Sequence, residues 1–155
     1  MTIRDAFTQL ATWTISGVEN NYDLDDLPAK LAAAELPALV PHLIETREDQ
    51  DTQAMAVLTY DQSIWWATIY IEHYCYFELA GKSRLEDVRP AMITFVDNYL
   101  AEAAGDGDLN GELAEPLAIK SVNIGKYAYP PGAEFGDKYY CCVVVQQWRM
   151  EVDVS

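Results

Sequence analysis

The stretch that decides the fold is residues 64–79, IWWATIYIEHYCYFEL. Its apolar side chains alternate with a period of two, which indicates a β-strand that buries one face in the core. This is the strongest secondary-structure pattern in the chain. The face predicted to lie in the core carries Trp65, Ala67, Ile69, Ile71, His73, Cys75 and Phe77.

The opposite face of this strand has an unusual composition for a solvated sheet. A solvated face carries mostly Lys, Glu and Thr, whereas Tyr and Trp are enriched where surfaces meet partners. Either a second layer of the same chain or another subunit is therefore expected to cover it, and the pattern leaves both alternatives open. The residues of this face are Trp66, Thr68, Tyr70, Glu72, Tyr74 and Tyr76.

The elements before this strand are predicted from helix caps and prolines. Thr2 can cap a first helix, which Gly17 ends. Residues 25–35 predict a short second helix, with Asp at the cap and proline in the first turn. Pro37 and Pro41 then bracket a predicted edge strand, because proline cannot donate a hydrogen bond into a central ladder.

The elements after the long strand complete an α+β pattern. A capping box of Ser83 and Glu86 predicts an amphipathic helix that Gly105 ends. The remaining strands are predicted at 55–58, 117–124 and 139–154. The order is therefore α-α-β-β-β-α-β-β. It predicts a single α+β domain over residues 1–155, with a mainly antiparallel sheet of four to five strands and helices packed on one face.

The loop between the last two strands is the second aromatic feature. Residues 126–138 combine three aromatic side chains with prolines and glycines, and an aromatic loop of this kind is typical of a contact surface. Together with the aromatic strand face, it predicts an interface with other subunits or partners. The predicted interface residues are Trp66, Tyr70, Tyr74, Tyr76, Tyr127, Tyr129 and Phe135.

The charge of the chain excludes several classes of partner. The chain has 10 basic and 25 acidic residues, which gives a net charge of −15. Such a field repels phosphate backbones and anionic membrane surfaces, so direct nucleic-acid binding and membrane attachment are not expected. The first residues lead into a helical pattern without the apolar segment of a secretory signal, which predicts a cytoplasmic protein.

No sequence motif indicates catalysis, a metal or a cofactor. The chain lacks the usual nucleophile, zinc and phosphate-binding motifs, and its two histidines have no implied catalytic partners. The three cysteines form no CxxC pair, which favours buried structural thiols. We therefore expect a protein that is not an enzyme and has no catalytic residues, metal site or cofactor.

One loop resembles part of a calcium site. Residues 106–111, DGDLNG, match the first half of an EF-hand loop. The second half does not match, because Leu117 stands where the bidentate carboxylate should be. Asp, Asn and Gly are also the ordinary residues of a polar turn, so a loop without calcium is the favoured interpretation.

The layout as a whole resembles the small tail-terminator, or tail-completion, proteins of tailed bacteriophages and prophages, a group of minor tail proteins. The resemblance lies in the element order and in local features such as residues 36–39 (LPAL), the aromatic strand before an amphipathic helix, and residues 148–152 (WRMEV) of a terminal strand. No residue can be assigned a role from it, because sequences of this family diverge widely.

The resemblance implies a homo-oligomeric ring, of six subunits in that family, that caps a tail tube and meets other tail or connector proteins. Such a protein would be cytoplasmic before assembly and part of the virion afterwards. The alternative is a small-molecule binding module, in which Trp65 or Trp66 and the tyrosines line an aromatic pocket against the long helix.

Overall fold

The computed structural model of the chain describes residues 2–43, 56–133 and 135–152. Two α-helices and six strands follow one another, with two short 3₁₀ turns between the first two strands. The elements are α1 Ile3–Leu10, β1 Asn20–Asn21, the turns Leu24–Asp26 and Ala33–Glu35, β2 Ala38–Leu43, β3 Ala56–Asp61, β4 Ile64–Leu79, α2 Leu85–Gly105, β5 Ala118–Ala128 and β6 Lys138–Val152.

The two longest strands, β4 and β6, form the antiparallel centre of the sheet. β5 pairs with the outer side of β6. On the outer side of β4, β3 pairs with residues 64–69 and β2 with residues 71–76. β1 pairs with β2 in parallel over two residues. The sheet therefore has β3 at one corner and β5 at the diagonally opposite corner.

The α+β class is confirmed, but the prediction of four to five strands is wrong. The sheet has six strands. It is mainly antiparallel, as predicted, but it is mixed because β1 runs parallel to β2. β1 consists only of Asn20 and Asn21. Two polar residues have no alternation of apolar side chains, so no periodicity could reveal this strand.

The second predicted helix, over residues 25–35, does not form. The chain makes two 3₁₀ turns there instead, and Leu27 between them is extended, with ψ 123°. Leu27 precedes Pro28, and the proline ring disfavours the α conformation of the residue before it. The alanines that follow are too few to nucleate a helix by themselves.

Both helices pack on the same face of the sheet. Thr2 caps α1 as predicted, and it forms a reciprocal capping box with Asp5. α2 begins at Leu85 and continues through Pro90, but Ser83 donates to Glu78 instead of capping the helix. The core between the helices and the sheet includes Phe7, Leu10, Trp13, Met92, Phe95, Tyr99, Ile69, Ile71, Cys75, Val144 and Trp148.

Candidate assembly surfaces

The tyrosine face of the sheet is the side opposite the helices. A second hydrophobic cluster lies on this face and is built from β2, β4 and β6. The segment of residues 22–36 lies over it, because Tyr22, Leu31 and Leu36 pack against the cluster. This part of the aromatic face is therefore covered by its own chain.

Tyrosine hydroxyls attach the covering segment to the sheet. Tyr129 donates to the carbonyl oxygen of Pro28, and Tyr139 donates to that of Leu31 at 3.3 Å. Within the segment itself, Tyr22 donates to the Glu35 carboxylate at 2.7 Å. Burial, reinforced by this carboxylate, raises the pKa of Tyr22 to about 12. Burial also raises the pKa of Tyr129 and Tyr139. All three hydroxyls therefore stay protonated and keep donating at physiological pH.

Tyr74 and Tyr76 were predicted as interface residues, but the structure covers them within the chain. Both side chains are buried within the single chain, and the Tyr76 hydroxyl donates to the carbonyl oxygen of Ala128 at 2.8 Å. Burial raises the pKa of both phenols above the ordinary value. For these two residues the covering layer is intramolecular, because the ring of Tyr127 packs edge-on against Tyr74 and the rings of Tyr129 and Tyr139 pack edge-on against Tyr76.

The other predicted interface residues differ widely in exposure. Tyr127 and Tyr129 are half-buried, because their rings pack edge-on against Tyr74 and Tyr76 at centroid distances of 5.5 Å. Phe135, in the loop before β6, is 85% exposed. Their role in an interface remains a prediction.

Trp66 and Tyr70 are the remaining two predicted interface residues. Both are half-buried on the tyrosine face of β4. The guanidinium of Arg149 lies over the Trp66 ring, 5.4 Å from its centroid, and donates to the Thr68 hydroxyl at 2.9 Å. Cation–π stacking thus covers part of Trp66 from within the chain.

We expect Tyr129→Ala and Phe135→Ala to have different effects on the stability of the fold. Tyr129→Ala should lower the free energy of unfolding by about 2–3 kcal/mol, because it removes a packed ring and a hydrogen bond. Phe135→Ala should change it by less than about 0.5 kcal/mol, because the ring is exposed. Urea denaturation followed by tryptophan fluorescence measures both. Equal effects would show that the loop does not pack as described.

A third surface, the β3–β4 hairpin, was not predicted as an interface. Leu58, Tyr60 and Trp65 form an exposed group on the helix side of the sheet, which we call the hairpin patch. The Tyr60 and Trp65 rings are in contact, with centroids 5.1 Å apart. Val57 is exposed on the opposite side. Exposure on both sides means that neither the helix layer nor the segment of residues 22–36 covers β3.

The turn at the tip holds the hairpin patch in register. Gln62 and Ser63 form a two-residue loop with φ of 50° and 69°. Positive φ at both central positions is the geometry of the turn that matches the twist of a tight hairpin. The register places Tyr60 directly opposite Trp65. The patch is therefore a preorganised surface, and its aromatic side chains lose little conformational entropy on binding.

The core holds a chain of polar groups that ends at His73. Trp148 Nε1 donates to Gln146 Oε1 at 2.8 Å, and Gln146 Nε2 donates to the Tyr99 hydroxyl. The single Tyr99 proton therefore points to His73 Nδ1, 2.8 Å away. Burial lowers the pKa of His73 to about 3. This histidine is a neutral, fully buried core residue.

The cysteines are also core residues. All three are free and buried. Burial raises the pKa of Cys75 and Cys141 well above the ordinary value of a thiol, and it raises that of Cys142 to about 11. Protonated thiols are poor nucleophiles and poor metal ligands. Over the ranges that the structure describes, no group of three or more His, Cys, Asp or Glu residues could hold a metal ion.

The loop that resembles half of an EF-hand uses its first carboxylate for structure. Asp106 Oδ2 accepts from Gln9 Nε2 at 3.0 Å and from Trp13 Nε1 at 2.8 Å, and Oδ1 accepts from the Asn110 amide at 2.8 Å. Burial raises the pKa of Asp106, but these hydrogen bonds outweigh it and the pKa is lower than usual. The carboxylate thus ties the end of α2 to α1.

A groove runs beside the first turns of α2. It has a volume of about 610 Å³ and lies between the helix, the end of β4 and residues 31–37. Among the described residues, Phe77 and Tyr139 are the aromatic side chains that line it, and Trp65 and Trp66 do not. Trp66 lines a separate depression of about 610 Å³ with Arg149 at the hairpin. The predicted aromatic pocket against the long helix is not found at this groove.

No protein-family model matches the chain, and no curated protein is similar to it at a significant level. Among the described residues, no helix combines the length and the apolar character needed to cross a membrane.

Proposed function

We propose that this chain is a structural assembly protein, not an enzyme, whose copies form a ring. The role is that of a protein resembling the phage tail terminators, which closes the end of a tail tube and contacts other tail or connector proteins. It would be cytoplasmic before assembly and part of the particle afterwards. The observation that carries this proposal is the uncovered hairpin patch.

An exposed strand with apolar side chains on both sides is a liability for a monomer. Natural proteins protect edge strands with charge, proline, bulges or a covering element, because an open edge invites aggregation. Within residues 56–61, the strand β3 has only Asp61 as a charged residue and has no proline. Trp and Tyr are also the residues that dominate binding energy at interfaces. A regular partner surface for β3 resolves this conflict.

The electrostatic properties of the chain favour protein partners. With a net charge of −15, its surface repels nucleic acid and other polyanions. A ring of such subunits could surround DNA without binding it. The diagonal placement of β3 and β5 is compatible with a ring, because head-to-tail contacts between two different surfaces form a closed ring when the rotation between neighbouring copies closes.

Native mass spectrometry of the purified full-length chain tests this proposal. We expect one dominant multimer with a fixed subunit number, and negative-stain images of that fraction should show rings. A monomer as the only species, binding a small molecule in the groove beside α2, would support the alternative binding module and contradict the assembly proposal. An open series of multimers would contradict a closed ring.

A further inference from the structure

We infer that the subunits join edge to edge: the free edge of β3 in one copy pairs antiparallel with the free edge of β5 in the next copy. The occupant of each edge is thus a second copy of this chain, and the sheets become continuous across the assembly. This inference rests on the proposed function and adds the surface, direction and register of the contact.

Both strands have an open side in the part of the chain that the structure describes. β3 pairs only with β4, and β5 pairs only with β6. Each also exposes apolar side chains at its edge, which are Val57, Leu58 and Tyr60 on β3 and Val122 and Ile124 on β5. Pairing the two edges would satisfy backbone groups and cover these side chains in one contact.

The strand directions permit this contact. Each neighbouring pair in the succession β3, β4, β6, β5 is antiparallel. β3 and β5 of one copy therefore run in opposite directions. When a second copy continues the sheet in the same orientation, its β5 lies antiparallel to β3 of the first copy, and the alternation of directions is kept.

Charge favours β3 against β5 over a contact between two identical edges. Residues 118–128 contain Lys120 and Lys126 and no acidic residue, although the chain as a whole carries −15. β3 contains Asp61 and no basic residue. Two β5 edges would oppose like charges across the ladder, which is destabilising, whereas β3 against β5 brings opposite charges together. Two β3 edges would leave the apolar side chains of β5 uncovered.

The two faces of the sheet then determine the register. Leu58 pairs with Ala67 on the helix side of the sheet, and Ile124 pairs with Cys142 on the same side. A continuous sheet must keep these side chains on one face. The register that sets Leu58 opposite Ile124 does so, and it also sets Tyr60 opposite Val122. In this register Thr59 lies opposite Asn123, and Asp61 lies one residue from Lys120.

Disulfide trapping tests this register directly. The variant T59C/N123C places two thiols at exposed positions that are expected to be opposite each other across the subunit contact. Within one chain the two strands are separated by β4 and β6, about 14 Å, so an intramolecular disulfide cannot form. The native cysteines are buried and should not react under mild oxidation.

The matched control is T59C/S121C. It moves one thiol by two residues along β5 on the same face, about 7 Å, which is beyond the reach of a disulfide. Both changes again replace exposed polar residues. Each variant is first sized to establish that it assembles like the unmodified chain.

We expect T59C/N123C to form a ladder of covalent multimers on non-reducing gels, with at least a tenfold greater yield than T59C/S121C. Equal yields from both variants, or no ladder from an assembled protein, would overturn the β3–β5 contact while leaving the proposed ring intact. A protein that stays monomeric at every concentration would overturn both.

Discussion

Acidification from pH 7 to pH 5 should lower the free energy of unfolding by about 2 kcal/mol through His73 alone. The imidazole is fully buried and its pKa in the folded state is lowered from 6.5 to about 3. In the unfolded chain it binds a proton near pH 6.5. The folded-state pKa of this base is lower than its unfolded-state pKa. The contribution of His73 to the free energy of unfolding is therefore fully present above pH 6.5 and is lost as the pH falls toward 3.

The variant His73→Gln isolates this effect. A glutamine amide can still accept from Tyr99, but it does not titrate between pH 5 and 7. Some stability should be lost at pH 7, about 1–3 kcal/mol, because the packing and the end of the polar chain change. The further loss between pH 7 and 5 should be smaller than in the unmodified chain by about 2 kcal/mol.

Urea denaturation at several pH values between 7 and 5 measures these differences. His42→Gln is the matched control, because His42 is only half-buried on β2 and is not part of the polar chain. His42→Gln should not change the pH dependence of the free energy of unfolding that His73 produces. If His73→Gln shows the same acid sensitivity as the unmodified chain, the histidine is not the buried neutral group described here.

The second large effect is expected at the hairpin patch. Leu58→Lys should raise the dissociation constant of the assembly by about 10- to 100-fold, because it removes an apolar contact from every subunit interface and puts a hydrated ammonium there. The monomer should keep its stability, since Leu58 is 52% exposed. Sedimentation velocity measures association, and urea denaturation at low protein concentration measures folding.

Ile93→Lys provides the control for surface hydrophobicity. Ile93 lies on α2 and is 54% exposed, so the same change is made at a side chain of similar exposure away from the hairpin. It should leave the dissociation constant within about twofold. If Ile93→Lys weakens association as much as Leu58→Lys does, the loss reflects added charge and not a contact at β3.

The alternation of apolar side chains along residues 64–79 identified the centre of the sheet from the sequence. It did not show what covers the two faces of the sheet. The core residues Ile69, Ile71 and Cys75 were predicted from period-two spacing and are buried. Tyr74 and Tyr76 were predicted as interface residues, yet they are buried in a cluster against which the segment of residues 22–36 packs. That segment contains two short 3₁₀ turns but no α-helix or strand. Its position therefore depends on tertiary hydrogen bonds from Tyr129 and Tyr139, which leave no local pattern in the sequence.

The hairpin patch was missed for a related reason. Trp65 lies on the face that alternation assigns to the core, and its side of the sheet is indeed the helix side. It is nevertheless exposed, because β4 is longer than the helix layer that packs on it. Periodicity tells which way a side chain points but not where the covering layer ends. The signal available was the neighbouring strand 56–60, which lacks charged residues.

The weight-average mass of the unmodified full-length chain, measured by sedimentation equilibrium from nanomolar to high micromolar concentration, tests the central claim most directly. We predict that the mass rises from the 17.4 kDa of one chain to a plateau at a fixed multiple of it. A mass that stays at 17.4 kDa over the whole range would contradict the claim that the exposed hairpin is an assembly surface.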